Sequence, residues 1–151
     1  RMENFLADVA AEKERVKERK RLDEKIEAGA DFFMSQPIFS EAQADRLFNF
    51  YGTITDKPLI VGIWPLIHMR TVGAIRSGRV VGVEIPEKEH TKMCQHAEFG
   101  DLIEWGIQRA DEIIRYIKKS DMVQGVYIVA PARNPRSILS FLKNTLASCG
   151  K

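Results

Sequence analysis

The sequence predicts an α/β chain built from parallel βα units, and three observations carry that expectation. Short apolar runs alternate with helical patterns along the chain. One of them, Leu59-Ile60-Val61-Gly62-Ile63-Trp64, is apolar without alternation, as a strand covered on both faces is. Glycines stand where helices should stop, at Gly29, Gly52 and Gly78.

Five runs have β character: residues 5–11, 31–35, 59–64, 79–85 and 125–130. Between the first two lies a stretch dense in charge, residues 12–28, with Val16, Leu22 and Ile26 as a thin apolar stripe. Glu14 with Lys17 and Glu18 with Arg21 stand at helical contact spacing, which predicts a solvated outer helix. Gly29 ends it, and the apolar run 31–35 reads as a buried strand that delivers Gln36 to its C-terminal rim. Ser40 followed by Gln43 has the form of a capping box for a helix reaching about Tyr51. The next crossover helix covers residues 67–77. The run 79–85 has two readings, a sheet strand or an extended connector, and Ile85 is extended in both because Pro86 follows it. Residues 99–119 place Leu102, Gly106, Ala110, Ile113 and Ile117 on one face of an amphipathic helix. After the last strand, Asn134-Pro135 offers an N-cap and a first-position proline for a helix over residues 134–147.

Composition narrows the function classes. The 151 residues carry 44% hydrophobic and 29% charged side chains, ordinary for one globular domain, so the expected organisation is a single βα domain over residues 1–151. With 23 basic and 21 acidic residues the formal charge is +2, which steers the chain toward no charged partner, and the Lys17–Arg21 cluster is flanked by glutamates without interleaved aromatics. No nucleic-acid partner is expected. No apolar run approaches the roughly 20 residues that cross a bilayer, no signal peptide precedes the charged first helix, and a cytoplasmic chain without membrane contact is the expectation. Cys94 and Cys149 belong to no C-x-x-C pair and read as reduced thiols. His68, His90 and His96 lack metal-ligand spacing, so no metal is expected. Nucleophile-elbow, dinucleotide-binding and phosphate-loop glycine patterns are all missing. Trp64 and Trp105 read as packing residues. The opening Arg1-Met2 reads as the start of an excised or engineered fragment.

Gly29-Ala30-Asp31-Phe32-Phe33, Gln36-Pro37 and the strand 58–65 with its Gly62-Ile63-Trp64-Pro65 ending resemble, in order and spacing, the flavin-dependent methylenetetrahydrofolate reductase family. The likeness extends from Asp8-Val9-Ala10-Ala11, similar to the fifth strand of that family's (βα)8 TIM barrel, through Glu84-Ile85-Pro86, to Val123-Gln124-Gly125-Val126-Tyr127-Ile128, similar to the eighth. Several pieces look especially like the bacterial proteins that join a homocysteine S-methyltransferase module to this reductase. A complete barrel usually needs about 250 residues, so the resemblance implies the C-terminal half of one. The alternative is a flavodoxin-like doubly wound sheet.

Such enzymes pass a hydride from NAD(P)H to FAD and on to 5,10-methylenetetrahydrofolate. The resemblance implies that Gln36 hydrogen-bonds the folate, that Met93 stands where an aromatic packs on it, and that Arg133, with Asn134 or Arg136 as alternatives, contacts it too. It assigns Lys25 and Ala10 to FAD. The family's loop of aromatic and histidine contacts to the adenine side of FAD is replaced here by the charged helix starting at Glu12. The glutamate of the family's first strand and the aspartate of its fourth have no counterpart, so no catalytic residue is assigned. A half-barrel leaves two sheet edges and an inner face to cover, which calls for the N-terminal half or a second copy in a homodimer. The expected function is therefore a folate-facing part of the reductase, inactive as an isolated chain. The alternatives are a non-catalytic structural or interaction module and a pterin or corrinoid binder.

Overall fold

The computed structural model describes the backbone of residues 2–130 and of Lys143, with side chains from residue 12 onward. The order of elements is α1 Met2–Glu27, β1 Phe33–Ile38, α2 Glu41–Tyr51, β2 Leu59–Ile63, α3 Met69–Arg76, α4 Glu87–Phe99, α5 Leu102–Ile117 and β3 Val123–Ile128. The three strands form one sheet in the order β1-β2-β3, and both pairings are parallel. The parallel βα reading holds, as a segment of the (βα)8 architecture requires.

One correction concerns the first element. Residues 5–11 are the opening turns of α1, not a strand. Leu6, Ala7, Ala10, Ala11 and Glu12 are strong helix formers with no glycine or proline among them, and a helix already nucleated over the charged stretch propagates through them. The ion pairs read from spacing form on its outer face, Lys17 to Glu14 at 2.7 Å and Arg21 to Glu18 at 2.6 Å, while Leu22 and Ile26 pack inward.

Of the two readings of residues 79–85, the connector holds: they form a turn and a stretch without regular structure that runs into Pro86. Two glycines with positive φ in so short a stretch, Gly78 and Gly82, bend the backbone away from any ladder. The long helical pattern expected over residues 99–119 begins later, at Leu102, because Gly100 takes φ 81° and closes the preceding helix α4. The helix expected over residues 134–147 lies outside the described residues.

The sheet carries one core and borders another. Leu59, Val61 and Ile63 point to the face covered by α2 and α5, where Ala110, Ile113, Ile114 and Ile117 meet them. Phe33 adds an edge-to-face contact with Tyr51 at 5.7 Å. Where β2 ends, Phe39, Leu66, Val72, Ile85, Met93 and Leu102 form a second cluster under α3 and α4. The opposite sheet face, bearing Ile60, Gly62, Gly125 and Tyr127 by strand alternation and register, receives no described helix. Met34 is 56% exposed beside it.

Candidate functional site

The site begins with an irregularity in β1. The pairing of β1 with β2 slips between Met34 and Pro37, so Ser35 and Gln36 bulge out of register. Proline has no N–H to give a ladder and is tolerated here because of the bulge. Side chains satisfy the backbone groups the slip leaves behind: Gly62 N donates to Ser35 Oγ at 3.1 Å, and Ser35 Oγ donates to the Gln36 carbonyl at 2.8 Å. The Tyr127 hydroxyl reaches across β2 to donate to the Ser35 carbonyl at 2.8 Å, and burial pushes its pKa up. Tyr127 passes so close over Gly62 that a Cβ there would lie 2.6 Å from its hydroxyl.

The strand therefore runs Phe33–Ile38 rather than residues 31–35, and Gln36 sits inside its C-terminal half. Its side-chain amide is exposed and makes no hydrogen bond to another described residue. It lines a groove of about 220 Å³ with Pro37, Gln43, Arg46, Gly82 and Glu84. Its lining residues include two glutamines, an arginine and a glutamate, residue types suited to the edge of a polar heterocycle.

Gln43 comes to the groove through the N-terminus of α2. Ser40 caps that helix by accepting from Gln43 N at 3.3 Å, as the capping box predicts. Beneath the cap, Arg109 of α5 meets three carboxylates, forking onto Glu41 and Glu89 and touching exposed Glu112 at 3.1 Å. It donates to Glu41 at 2.6 and 2.7 Å and to buried Glu89 at 3.0 and 3.1 Å. Arg109 holds the Glu41 carboxyl down at about 2, and its own ionisation is pushed higher still. A carboxylate whose pKa falls on folding adds stability above its unfolded value of 4.5, which is lost as pH falls toward about 2. The melting temperature should accordingly decline across that window, and Glu41→Gln should flatten the decline; identical acid profiles for the two proteins would refute the assignment.

The sequence-assigned residues do not all meet. Trp64, directly after β2, borders the crevice that Met93 and Trp105 also line. Met93 is 2% exposed within the second core. Lys25 is exposed in the last turn of α1, which feeds the N-terminal end of β1, whereas Gln36 lies toward the other end of that strand. Ala10 is in helical backbone, and its side chain lies outside the described residues, as does Arg133 with its alternatives Asn134 and Arg136. Strands β1, β2 and β3 do run side by side in one direction, so the chain beyond β3 leaves from the same sheet edge as Gln36 and Trp64. Sequence reading missed the Arg109 fork and the second bond of Gln43. The capping box was a signal for Gln43's place, but nothing local marks the partner of either side chain.

Among the described residues no group of three or more His, Cys, Asp and Glu side chains could hold a metal ion, and no helix is long and apolar enough to cross a membrane. Comparison with known proteins gives one family: the model described as methylenetetrahydrofolate reductase matches residues 7–143. Among the curated proteins no match was found.

Proposed function

This chain belongs to the methylenetetrahydrofolate reductase family, and from that membership we propose that it forms a folate-facing part of a flavin-dependent reductase. The reaction would carry a hydride from NAD(P)H through FAD to 5,10-methylenetetrahydrofolate, in cytoplasmic one-carbon metabolism feeding methionine biosynthesis. The observation that carries the proposal is the amide of Gln36, exposed at a bulged strand end beside Gln43 and without a hydrogen-bond partner among the described residues. An amide presents a donor and an acceptor without charge, which matches the mixed edge of a pterin. Arg133 is the further folate contact of this reading and Ala10 the FAD contact; Met93, 2% exposed in the second core, would meet folate only if that core opened, and Lys25 would reach FAD only from the far end of β1.

Lys25 stands toward the other end of β1 from Gln36, so the described residues gather no flavin cradle around that amide. The remaining barrel strands, from an N-terminal half or from a second copy in a homodimer, would cover the open sheet face and bring the acid. That same separation of Lys25 from Gln36 favours a second reading, a structural module without catalysis.

Calorimetric titration of the full chain with methyltetrahydrofolate separates the two. The wild type should bind, and Gln36→Ala should weaken binding about tenfold, the net worth of one hydrogen bond after exchange with water. A wild type that takes up no methyltetrahydrofolate would leave the structural module standing.

A further inference from the structure

We propose that Gln43 is a positioning residue for Gln36, a strap that draws residues 79–85 against the bulged end of β1. The proposal rests on the reading of Gln36 as the folate-binding amide and adds what holds that amide in place.

The amide of Gln43 works in two directions. Its Oε1 accepts from Phe39 N at 2.8 Å, while its Nε2 donates to the carbonyl of Glu84 at 3.0 Å, across 41 positions of sequence. Capping alone needs only the acceptor. A glutamate would serve that purpose at least as well, since its charge favours the positive end of a helix. The donor is what glutamine adds, and the donor goes to the connector.

The connector reaches the groove through Gly82. Its φ of 77° suits glycine, and a Cβ there would stand 3.3 Å from Gln36 Nε2. Val80, Val83 and Ile85 seat the same segment on the second core. The segment is thus fixed by apolar packing on one side and by the Gln43 bond on the other, with Gly82 as the wall beside Gln36. Because the Gln36 amide makes no hydrogen bond of its own among the described residues, this wall limits the directions it can take. Pre-setting it lowers the ordering cost of binding.

Gln43→Glu tests the strap because it keeps the acceptor for Phe39 N and removes the donor. Amide hydrogen exchange over residues 82–85 should quicken in this variant while exchange within α2 stays as in the wild type. Affinity for methyltetrahydrofolate should fall about tenfold, the loss expected for one hydrogen bond. Gln43→Ala should show both effects and loosen the start of α2 as well. Unchanged exchange over residues 82–85 in Gln43→Glu would overturn the strap, and faster exchange with undiminished affinity would overturn its role in positioning Gln36. Failure of the wild type itself to bind would instead end the folate reading and the positioning role with it, while the exchange result would still report whether Gln43 ties the connector down.

Discussion

Replacing Arg109 with alanine is expected to lower stability by about 3–5 kcal/mol, because removing one partner leaves a buried charge uncompensated. The side chain of Glu89 is only 6% exposed, and it receives two hydrogen bonds from the guanidinium. Lys92 stands 3.9 Å away, but its side chain is half in solvent and offers a single point charge. Against a total of about 5–15 kcal/mol for a domain, this loss is a large share. Arg109→Lys should recover little of it, since an ammonium cannot fork onto Glu41 and Glu89 together. Pairing Arg109→Met with Glu89→Leu should restore most of the loss, because neither charge then remains buried. Urea denaturation of the three variants decides the matter; an Arg109→Ala protein within about 1 kcal/mol of wild type would show that the fork is a surface pair of ordinary weight.

Gly106→Ala should also destabilise, although alanine is the better helix former. A Cβ on Gly106 would lie 2.5 Å from the Leu66 carbonyl oxygen and 3.0 Å from its carbon. Both are backbone atoms of a segment whose Leu66 and Ile67 side chains are buried, so the neighbour cannot swing aside. Alanine's propensity gains about 1 kcal/mol in a helix interior, and overpacking costs about 1–3 kcal/mol or more. With rigid backbone on the other side the upper part of that range applies, for a net loss of about 2 kcal/mol. Gly73 supplies the control: a Cβ there meets nothing within 4 Å. Gly73→Ala should therefore gain about 0.5–1 kcal/mol from propensity alone. The opposite signs of two identical substitutions are what chemical denaturation should reveal, and a stabilised Gly106→Ala would show that α5 does not press on the chain after β2.

Local signals carried far where their physics is local. Ser40 and Gln43 announced the start of α2, and Gln43 N does bond the Ser40 hydroxyl. The spacing of Glu14 with Lys17 and Glu18 with Arg21 announced two surface pairs that form as expected. The unbroken apolar run at residues 59–64 announced the central strand of the sheet. Signals failed where a neighbour decides. Phe5 and Val9 suggested a strand, but a strand needs a partner beside it, whereas a helix closes its backbone hydrogen bonds within itself. The helix α4 was not anticipated after Pro86, since Glu87 through Phe99 shows a weak apolar stripe and only Glu89 and Met93 of it are buried.

For the site, the chain's own residues announced that Gln36 ends near a strand rim, because a turn at Gly29 followed by a short apolar run leaves little freedom in where the next polar side chain falls. They did not announce the bulge, since the slip between Met34 and Pro37 depends on the Ser35 hydroxyl meeting Gly62 and on Tyr127 arriving from a strand 92 positions later. The same division runs through the whole molecule. Helix periods, caps and apolar runs are properties of a few consecutive residues, so the three strands, their parallel order and the helices α2, α3 and α5 follow from sequence, whereas the helical start of α1 and the whole of α4 do not. The Arg109 fork, the Gln43 bond to Glu84 and the wall at Gly82 join residues that only the packing of α2, α5 and the connector brings within bonding distance. Hydrogen bonds act over about 3 Å and leave no periodic mark along a chain, so the tertiary structure alone decided which side chains surround Gln36.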